Sequence, residues 1–307
     1  MNIIATADWH LSKSTPISRT DPDYFQTGLD KIQQVANYAR KYKAVICVAG
    51  DIFDNLRVTP YMINKVYEAL QGTFVFSVAG QHDMEYRNIT EACAYSTLVE
   101  LSCIKHLSKN NRTYDNVLFS GVSFNEDVPR SLYSDVVLVH KTITENDPPF
   151  FLKDAVKSSS IMKLLKDCRI IISGDYHVPF VKKKHGQVLV NCGSLMRRGK
   201  DQMDYEPCVW LIDTDTLAVE ALSLVIKPVK EVFSFAVRNE NAQNTQQEFI
   251  LADMDKVIER LTREELKPSF ENILLALAEE EKLSDTEKEI MKEILEVAKS
   301  GMNKEVL

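Results

Sequence analysis

Five short motifs in this chain place carboxylates and imidazoles directly after apolar runs. They are Asp8-Trp9-His10, Gly50-Asp51-Ile52-Phe53-Asp54, Gly80-Gln81-His82-Asp83, His140 after the run 135–139, and Gly174-Asp175-Tyr176-His177. Carboxylate and imidazole together suit manganese, iron, zinc or magnesium in mixed oxygen/nitrogen sites. Two cations about 3.5–4 Å apart need a bridging ligand, which a carboxylate can be. Asp51 is the candidate bridge, because Gly50 lets the chain turn tightly before it. The spacing Asp8-x-His10 puts two ligands on one side of a strand end. A single histidine after apolar residues, such as His140, is commonly a core residue, so the ordered set carries the reading. Four of the six histidines fall in these motifs, while His106 and His185 lack such a context and read as surface residues.

Positioning such a set requires strands that end together. Short runs rich in Val and Ile recur at 3–7, 44–49, 73–79, 117–124, 136–139, 170–173, 188–190, 209–212 and 218–226, and read as buried strands. Between the first three lie helical patterns. Residues 24–42 place Leu29, Ile32, Val35, Ala36 and Ala39 on one stripe, and 62–70 do the same with Met62, Val66, Ala69 and Leu70. The order β-α-β-α-β implies parallel strands, whose carboxyl ends converge on one crevice. The second half is strand-dense, so the expected fold is α/β: two stacked β-sheets flanked by helices, with a mainly helical C-terminal appendage. The expected division is a catalytic domain over 1–226 and a capping and helical region over 227–307. In the latter, a strand-like stretch at 231–237 and a polar loop at 239–247 precede helical segments at 253–265, 269–280 and 285–299. Ser284 and Glu287 form a capping box before the last of these, whose Ile290, Met291, Ile294, Leu295 and Ala298 follow helical spacing. That face either packs on the body or docks a partner helix.

The 307 residues are 45% apolar and 26% charged, ordinary for a soluble globular protein. No apolar run reaches the roughly 18–20 residues of a membrane span, and the start lacks a signal-peptide pattern. The six cysteines show no CxxC pair and read as buried free thiols of a reducing compartment. A cytoplasmic protein is expected, in the host cytoplasm if the source is viral. The net charge of −7 resides in the tail: residues 253–307 hold 15 Asp/Glu against 9 Lys/Arg. The body is close to neutral, which leaves room for a local basic groove.

Across residues 1–215 the ordered motifs resemble those of the calcineurin-like metallophosphoesterases. Within that family, three stretches resemble the SbcD-type DNA-repair nucleases, especially bacteriophage-encoded ones: Ala7-Asp8-Trp9-His10-Leu11, Ala49-Gly50-Asp51-Ile52-Phe53-Asp54, and Val190-Asn191-Cys192-Gly193-Ser194-Leu195-Met196-Arg197-Arg198. The last is similar to the family's Asn-Pro-Gly-Ser loop, with Cys192 in place of proline. The resemblance implies a four-layer αββα fold. It also implies a first metal on Asp8, His10, Asp51 and His177, and a second on Asp51, His140, Gln81 and Asp175. Gln81 stands where the family has Asn and Asp175 where it has His. Three carboxylates on two cations would favour manganese, with magnesium second, over zinc.

The mechanism this implies is attack on phosphorus by a metal-activated hydroxide. His82 would stabilise the transition state or act as general acid. Asp83 would orient that imidazole or cap the next segment. Asp54 stands where many cellular relatives have His, and no role is assigned to it. Two basic runs are candidate DNA contacts: Lys182, Lys183 and Lys184 after the fifth motif, and Arg197, Arg198 and Lys200 after the Gly-Ser loop. The expected activity is a metal-dependent nuclease, exonuclease or endonuclease, in DNA repair, recombination or replication. The implied partners are DNA and an SbcC-type SMC-like ATPase bound through the C-terminal helices. A homodimer stays open, and no membrane is involved. The alternatives are a small-molecule phosphodiesterase or phosphatase on this fold, and a non-catalytic scaffold with a degenerate second metal site.

Overall fold

Residue alternation gives the central strands two apolar faces each, and helices cover the outer ones. The computed structural model describes residues 1–148, 152, 154–199 and 202–233. Its strands are β1 (Asn2–Thr6), β2 (Val45–Val48), β3 (Val75–Ser77), β4 (Lys105–His106), β5 (Arg112–Tyr114), β6 (Val117–Val122), β7 (Ser134–His140), β8 (Ile143–Thr144), β9 (Val156–Lys157), β10 (Cys168–Gly174), β11 (Phe180–Lys184), β12 (Gln187–Asn191), β13 (Cys208–Asp213) and β14 (Val219–Ser223). The helices are α1 (Tyr24–Tyr42), α2 (Pro60–Leu70), α3 (Ala94–Glu100), α4 (Ser158–Leu164) and α5 (Val229–Val232). One six-stranded sheet runs β14-β13-β1-β2-β3-β4, the other β11-β12-β10-β7-β6-β5.

In the first sheet, Ile4, Ile46 and Val48 face the helices, packing with Ile32 and Val35 of α1 and Val66 of α2. Their neighbours Ile3, Ala5, Val45 and Cys47 face the second sheet, meeting Val136, Leu138, Ile170, Ile172 and Val190. The other face of the second sheet, with Val137, Val139 and Ile171, packs on Ile161 and Met162 of α4. Period-two alternation thus yields two mixed sheets between helices, the α/β metallophosphoesterase arrangement. Asp23 caps α1, its side chain accepting from the Gln26 N–H, and Lys43 ends it in the left-handed region. Proline opens α2 at its first turn.

β1, β2 and β3 pair in parallel, as do β7, β10 and β12, so their carboxyl ends lie together within each sheet. Gly174 brings the two ends into contact: a Cβ there would lie 2.8 Å from the Cβ of Ala7 and against the Ala49 carbonyl. All five motifs therefore open onto one edge of the sandwich.

Three expectations change. The stretch expected as a strand from residue 231 begins instead as the short helix α5, entered from Pro228, after which Phe233 bridges to Arg19. His106 is half-buried, not a surface residue, and its Nδ1 lies 2.9 Å from the Tyr95 hydroxyl. Lys182, Lys183 and Lys184, expected after the fifth motif outside any of the strand-like runs, belong to the strand β11. The segments at 253–265, 269–280 and 285–299 lie outside the described residues. All six cysteines are free. No helix among the described residues is long and apolar enough to cross a membrane.

Candidate metal centre

The loops after β1 and β2 run side by side. The Asp8 N–H donates to the Gly50 carbonyl, the His10 N–H to Asp51 and the Leu11 N–H to Ile52, each at 3.0 Å. Trp9 turns into the core and donates its ring N–H to the Thr6 hydroxyl at 3.0 Å, so Asp8 and His10 on either side of it turn toward the β2 loop. Asp8, His10 and Asp51 have φ of 50°, 43° and 55°, and Asp175 has 83°. Left-handed backbone at four non-glycine residues of one site is strain held by the surrounding packing. Gly50 has φ 92°, and a Cβ there would collide with the His140 ring.

Asp83 ties the third motif to the second. Its buried carboxylate accepts from the N–H groups of Asp51 at 2.8 Å, Gly80 at 3.0 Å and Ile52 at 3.1 Å. It does not touch the His82 imidazole, whose Nδ1 lies 2.8 Å from the Asp54 carbonyl. The orienting role considered for Asp83 is therefore replaced by a structural one: three amide donors hold it beneath the pocket. The His82 N–H donates to Asp51 Oδ1 at 3.0 Å, which leaves Asp51 Oδ2 buried and without a partner. That oxygen is 3.6 Å from His10 Nε2 and 3.6 Å from His140 Nε2.

The donor set fits divalent cations. His140 Nδ1 lies 2.6 Å from the Ala49 carbonyl, an acceptor only, so Nδ1 carries the proton and Nε2 presents a lone pair. That lone pair meets Gln81 Oε1 at 2.7 Å, with the unpartnered Asp51 Oδ2 nearby. Three polar atoms converge, and a cation among them would satisfy all three. His10 Nε2 and His177 Nε2 approach to 3.2 Å in the same way. Burial pushes the His10 pKa well down, and burial followed by the Arg198 charge brings His177 to about 4. Both are neutral at pH 7, the form that binds metal. Burial, then the neighbouring Asp51 charge, raises Asp8 well above the carboxylate range, and burial raises Asp51 to about 7. Carboxylates that resist ionising alone are stabilised as anions by a bound cation. Ligand atoms converge within 4.8 Å in three groups: Asp8, His10 and His177; His10, Asp51 and His82; and Asp8, Asp51 and His140.

The structure thus brings Asp8, His10, Asp51, Gln81, His82, His140 and His177 together. Asp175 stands one step back. Its carboxylate accepts from the Thr142 hydroxyl and from the Gln81 amide at 2.9 Å, and its backbone N–H donates to both Asp8 oxygens. Asp54, given no role from sequence, lies with Oδ1 3.2 Å from His10 Nδ1 and 2.6 Å from the Arg198 guanidinium. Burial opposes its ionisation, but the contacts with His10 and Arg198 win and hold its pKa at about 2. The signal available for it was its spacing, three residues after Asp51. Asn191 stood out in the sequence only as part of a loop. Its amide donates to the Tyr176 and Val178 carbonyls, bracketing His177.

Of the expected DNA contacts, Arg198 reaches the site. Arg197 does not: it is buried, donates to the Met203 and Lys227 carbonyls, and lies over the Phe233 ring. The three lysines are carried away from the pocket. β11 pairs antiparallel with β12, Phe180 beside Asn191 at the site end and Lys184 beside Gln187 at the other, about 13 Å further down at strand rise. Lys182 and Lys183 are also tied down, to the Glu145 and Leu217 carbonyls. Lys200 lies outside the described residues.

Fold and centre together define a metallophosphoesterase. The family model of the calcineurin-like phosphoesterase superfamily domain matches residues 1–216, and the chain belongs to that superfamily of metal-dependent phosphoester hydrolases. No curated protein matches it significantly. Among solved structures it is similar to an archaeal phosphodiesterase, with 13% identity and a TM-score of 0.43 over 73% of this chain and 100% of that one. It is also similar to a Staphylococcus aureus chain described as a putative 5′-nucleotidase in complex with alpha-ketoglutarate, with 14% identity and a TM-score of 0.48 over 81% of this chain and 58% of that one.

Proposed function

We propose that the chain is a manganese- or magnesium-dependent DNA nuclease, acting as exonuclease or endonuclease, in repair, recombination or replication. The observation that carries phosphodiester hydrolysis is the unpartnered Asp51 Oδ2 between His10 and His140. Two divalent cations held by Asp8, His10, Asp51, His140, His177 and Gln81 would supply hydroxide at neutral pH and neutralise charge on the phosphoryl oxygens. His82, half-buried at the rim, has its Nδ1 proton directed to the Asp54 carbonyl. The imidazolium form would carry a second proton, on Nε2, to give to the leaving oxygen. Asp54 fixes the Arg198 guanidinium beside the pocket, where it can bind a substrate phosphate.

A nucleic-acid substrate is favoured by the residues just beyond the ligand loops. Lys13, three residues after His10, lies 5.3 Å over the Tyr61 ring. Tyr61 is 50% and Tyr86 91% exposed. Arg57, paired with Glu85, links the loops after β2 and β3. Basic side chains interleaved with exposed aromatics suit a backbone with stacked bases. On the motif resemblance, the partner is an SbcC-type ATPase docked on the helices expected within 227–307. The test is digestion of linear duplex DNA with manganese, with magnesium and with chelator, beside a nitrophenyl phosphodiester. Metal-dependent loss of DNA supports the nuclease. Cleavage of the small diester with intact DNA would move the chain to small-molecule substrates.

A further inference from the structure

A second polar site lies away from the metal centre, between α1 and the chain leaving β14. It is a cavity of about 200 Å³ whose lining includes Arg19, Lys31, Arg197 and Lys227 against one carboxylate, Asp30. None of these is a candidate metal ligand. Arg19, Lys31 and Arg197 are each more than nine-tenths buried. Long basic side chains are rarely buried unless paired, so the pairing decides what the cavity is.

Arg19 is paired, with Asp21 taking Nε and a second guanidinium nitrogen at 2.7 and 2.8 Å. The other two are not. Lys31 Nζ donates to the Val225 carbonyl at 3.1 Å, and Arg197 to the Met203 and Lys227 carbonyls. Carbonyls satisfy hydrogen-bond donors but carry no counter-charge. Among the described residues, no carboxylate lies within ion-pair distance of Lys31, Arg197 or Lys227. An ammonium has three donors, and Lys31 uses one. The cavity therefore combines an excess of positive charge, spare donors and reduced solvent.

We propose that this cavity binds a small oxyanion, inorganic phosphate or the phosphate group of a small phosphomonoester, held by Lys31 and Arg197 with Arg19 behind them. The volume falls below the roughly 300–1,000 Å³ of pockets for larger ligands, which favours a compact anion. A dianion matches two unpaired cations better than a single carboxylate does. Burial, then the charges of Arg19 and Arg197, lowers the Lys31 pKa to about 8, and a bound anion reverses that cost. The assignment stands apart from the nuclease reading, since the site shares no residue with the metal centre.

The test titrates phosphate into the full-length chain by calorimetry, with magnesium and with chelator, against matched chloride. Metals bind phosphate themselves, so two events are expected with magnesium and one with chelator. Lys31→Met should weaken the chelator-resistant event about tenfold or more, and Lys31→Arg should retain it. Loss of all phosphate binding in chelator, or an unchanged event in Lys31→Met, overturns the proposal. Should Lys31→Met fail to fold, the wild-type melting temperature decides: a rise with phosphate over chloride supports the site, and no rise overturns it. A nucleoside 5′-monophosphate binding as tightly as phosphate identifies a phosphomonoester terminus, and phosphate alone identifies the free ion; both support it. Acetate acting as well as phosphate would make it a carboxylate pocket and refute it.

Discussion

The two poles of the metal centre are built differently. At the first, ligand atoms of Asp8, His10 and His177 converge, and Asp51 joins them through His10. Strained backbone and a bonded pair of loops hold them in place. At the second, His140 and Gln81 are positioned by a chain of side chains. Thr142 holds Asp175, Asp175 takes the Gln81 amide proton, and Gln81 turns its oxygen toward His140. Gln81 and Asp175 are the two expected metal ligands that depart from the resembled pattern, and their side chains touch. Glutamine is one methylene longer than asparagine, and Asp175 accepts the amide proton that fixes the longer side chain. Asp175 thus hydrogen-bonds an amide and a hydroxyl, while its Oδ1 stays 3.9 Å from His140 Nε2. Asp8, Asp51 and the Gln81 oxygen supply the hard donors that favour manganese or magnesium.

Mutations can break or sharpen this contrast. The largest effect short of losing metal is expected for His82→Ala, which removes a rim imidazole packed edge-on against His10 and leaves every proposed ligand in the chain. Turnover of a phosphodiester should fall about 10²–10⁴-fold with bound metal unchanged. Equal turnover would exclude His82 from the chemistry. At the second pole, Asp175→Ala should weaken the more labile manganese about 10–100-fold, the usual loss for a group that orients a ligand. Asp175→Asn keeps an acceptor for the Gln81 amide and should stay within about threefold of wild type. A loss in Asp175→Asn as large as in Asp175→Ala would make Asp175 an anionic ligand and erase the difference between the poles. The smallest effect is expected for Lys184→Ala, at the far end of β11. DNA affinity and its salt slope, read by fluorescence anisotropy, should not change, whereas Arg198→Ala should lower the slope by about one.

The site was more legible than its supports. Apolar stripes exposed α1 and α2, and the ends of short Val/Ile runs exposed every residue of the first pole, because strand ends in parallel sheets have only one place to meet. What escaped depended on which way a side chain turns. Arg197 and Arg198 are adjacent and basic, yet one is buried over Phe233 and the other reaches Asp54. Nothing in their local sequence separates them. Three consecutive lysines hid β11, since an edge strand with charged residues carries no apolar period. Pro228 before a valine-rich run opened a helical turn where β-branched residues suggested a strand. The partners of Asp54, Asp83 and Asp175 are backbone amides and side chains up to 167 positions away, beyond the reach of any local pattern.

The central claim is that one pocket holds two divalent ions through a shared Asp51. Titrating manganese into the full-length chain, with the free ion read by electron paramagnetic resonance, tests it directly. The account predicts two ions per wild-type chain and the loss of at least one in Asp51→Ala. A wild-type chain that binds no manganese, or an Asp51→Ala chain that binds it as wild type does, would contradict the account.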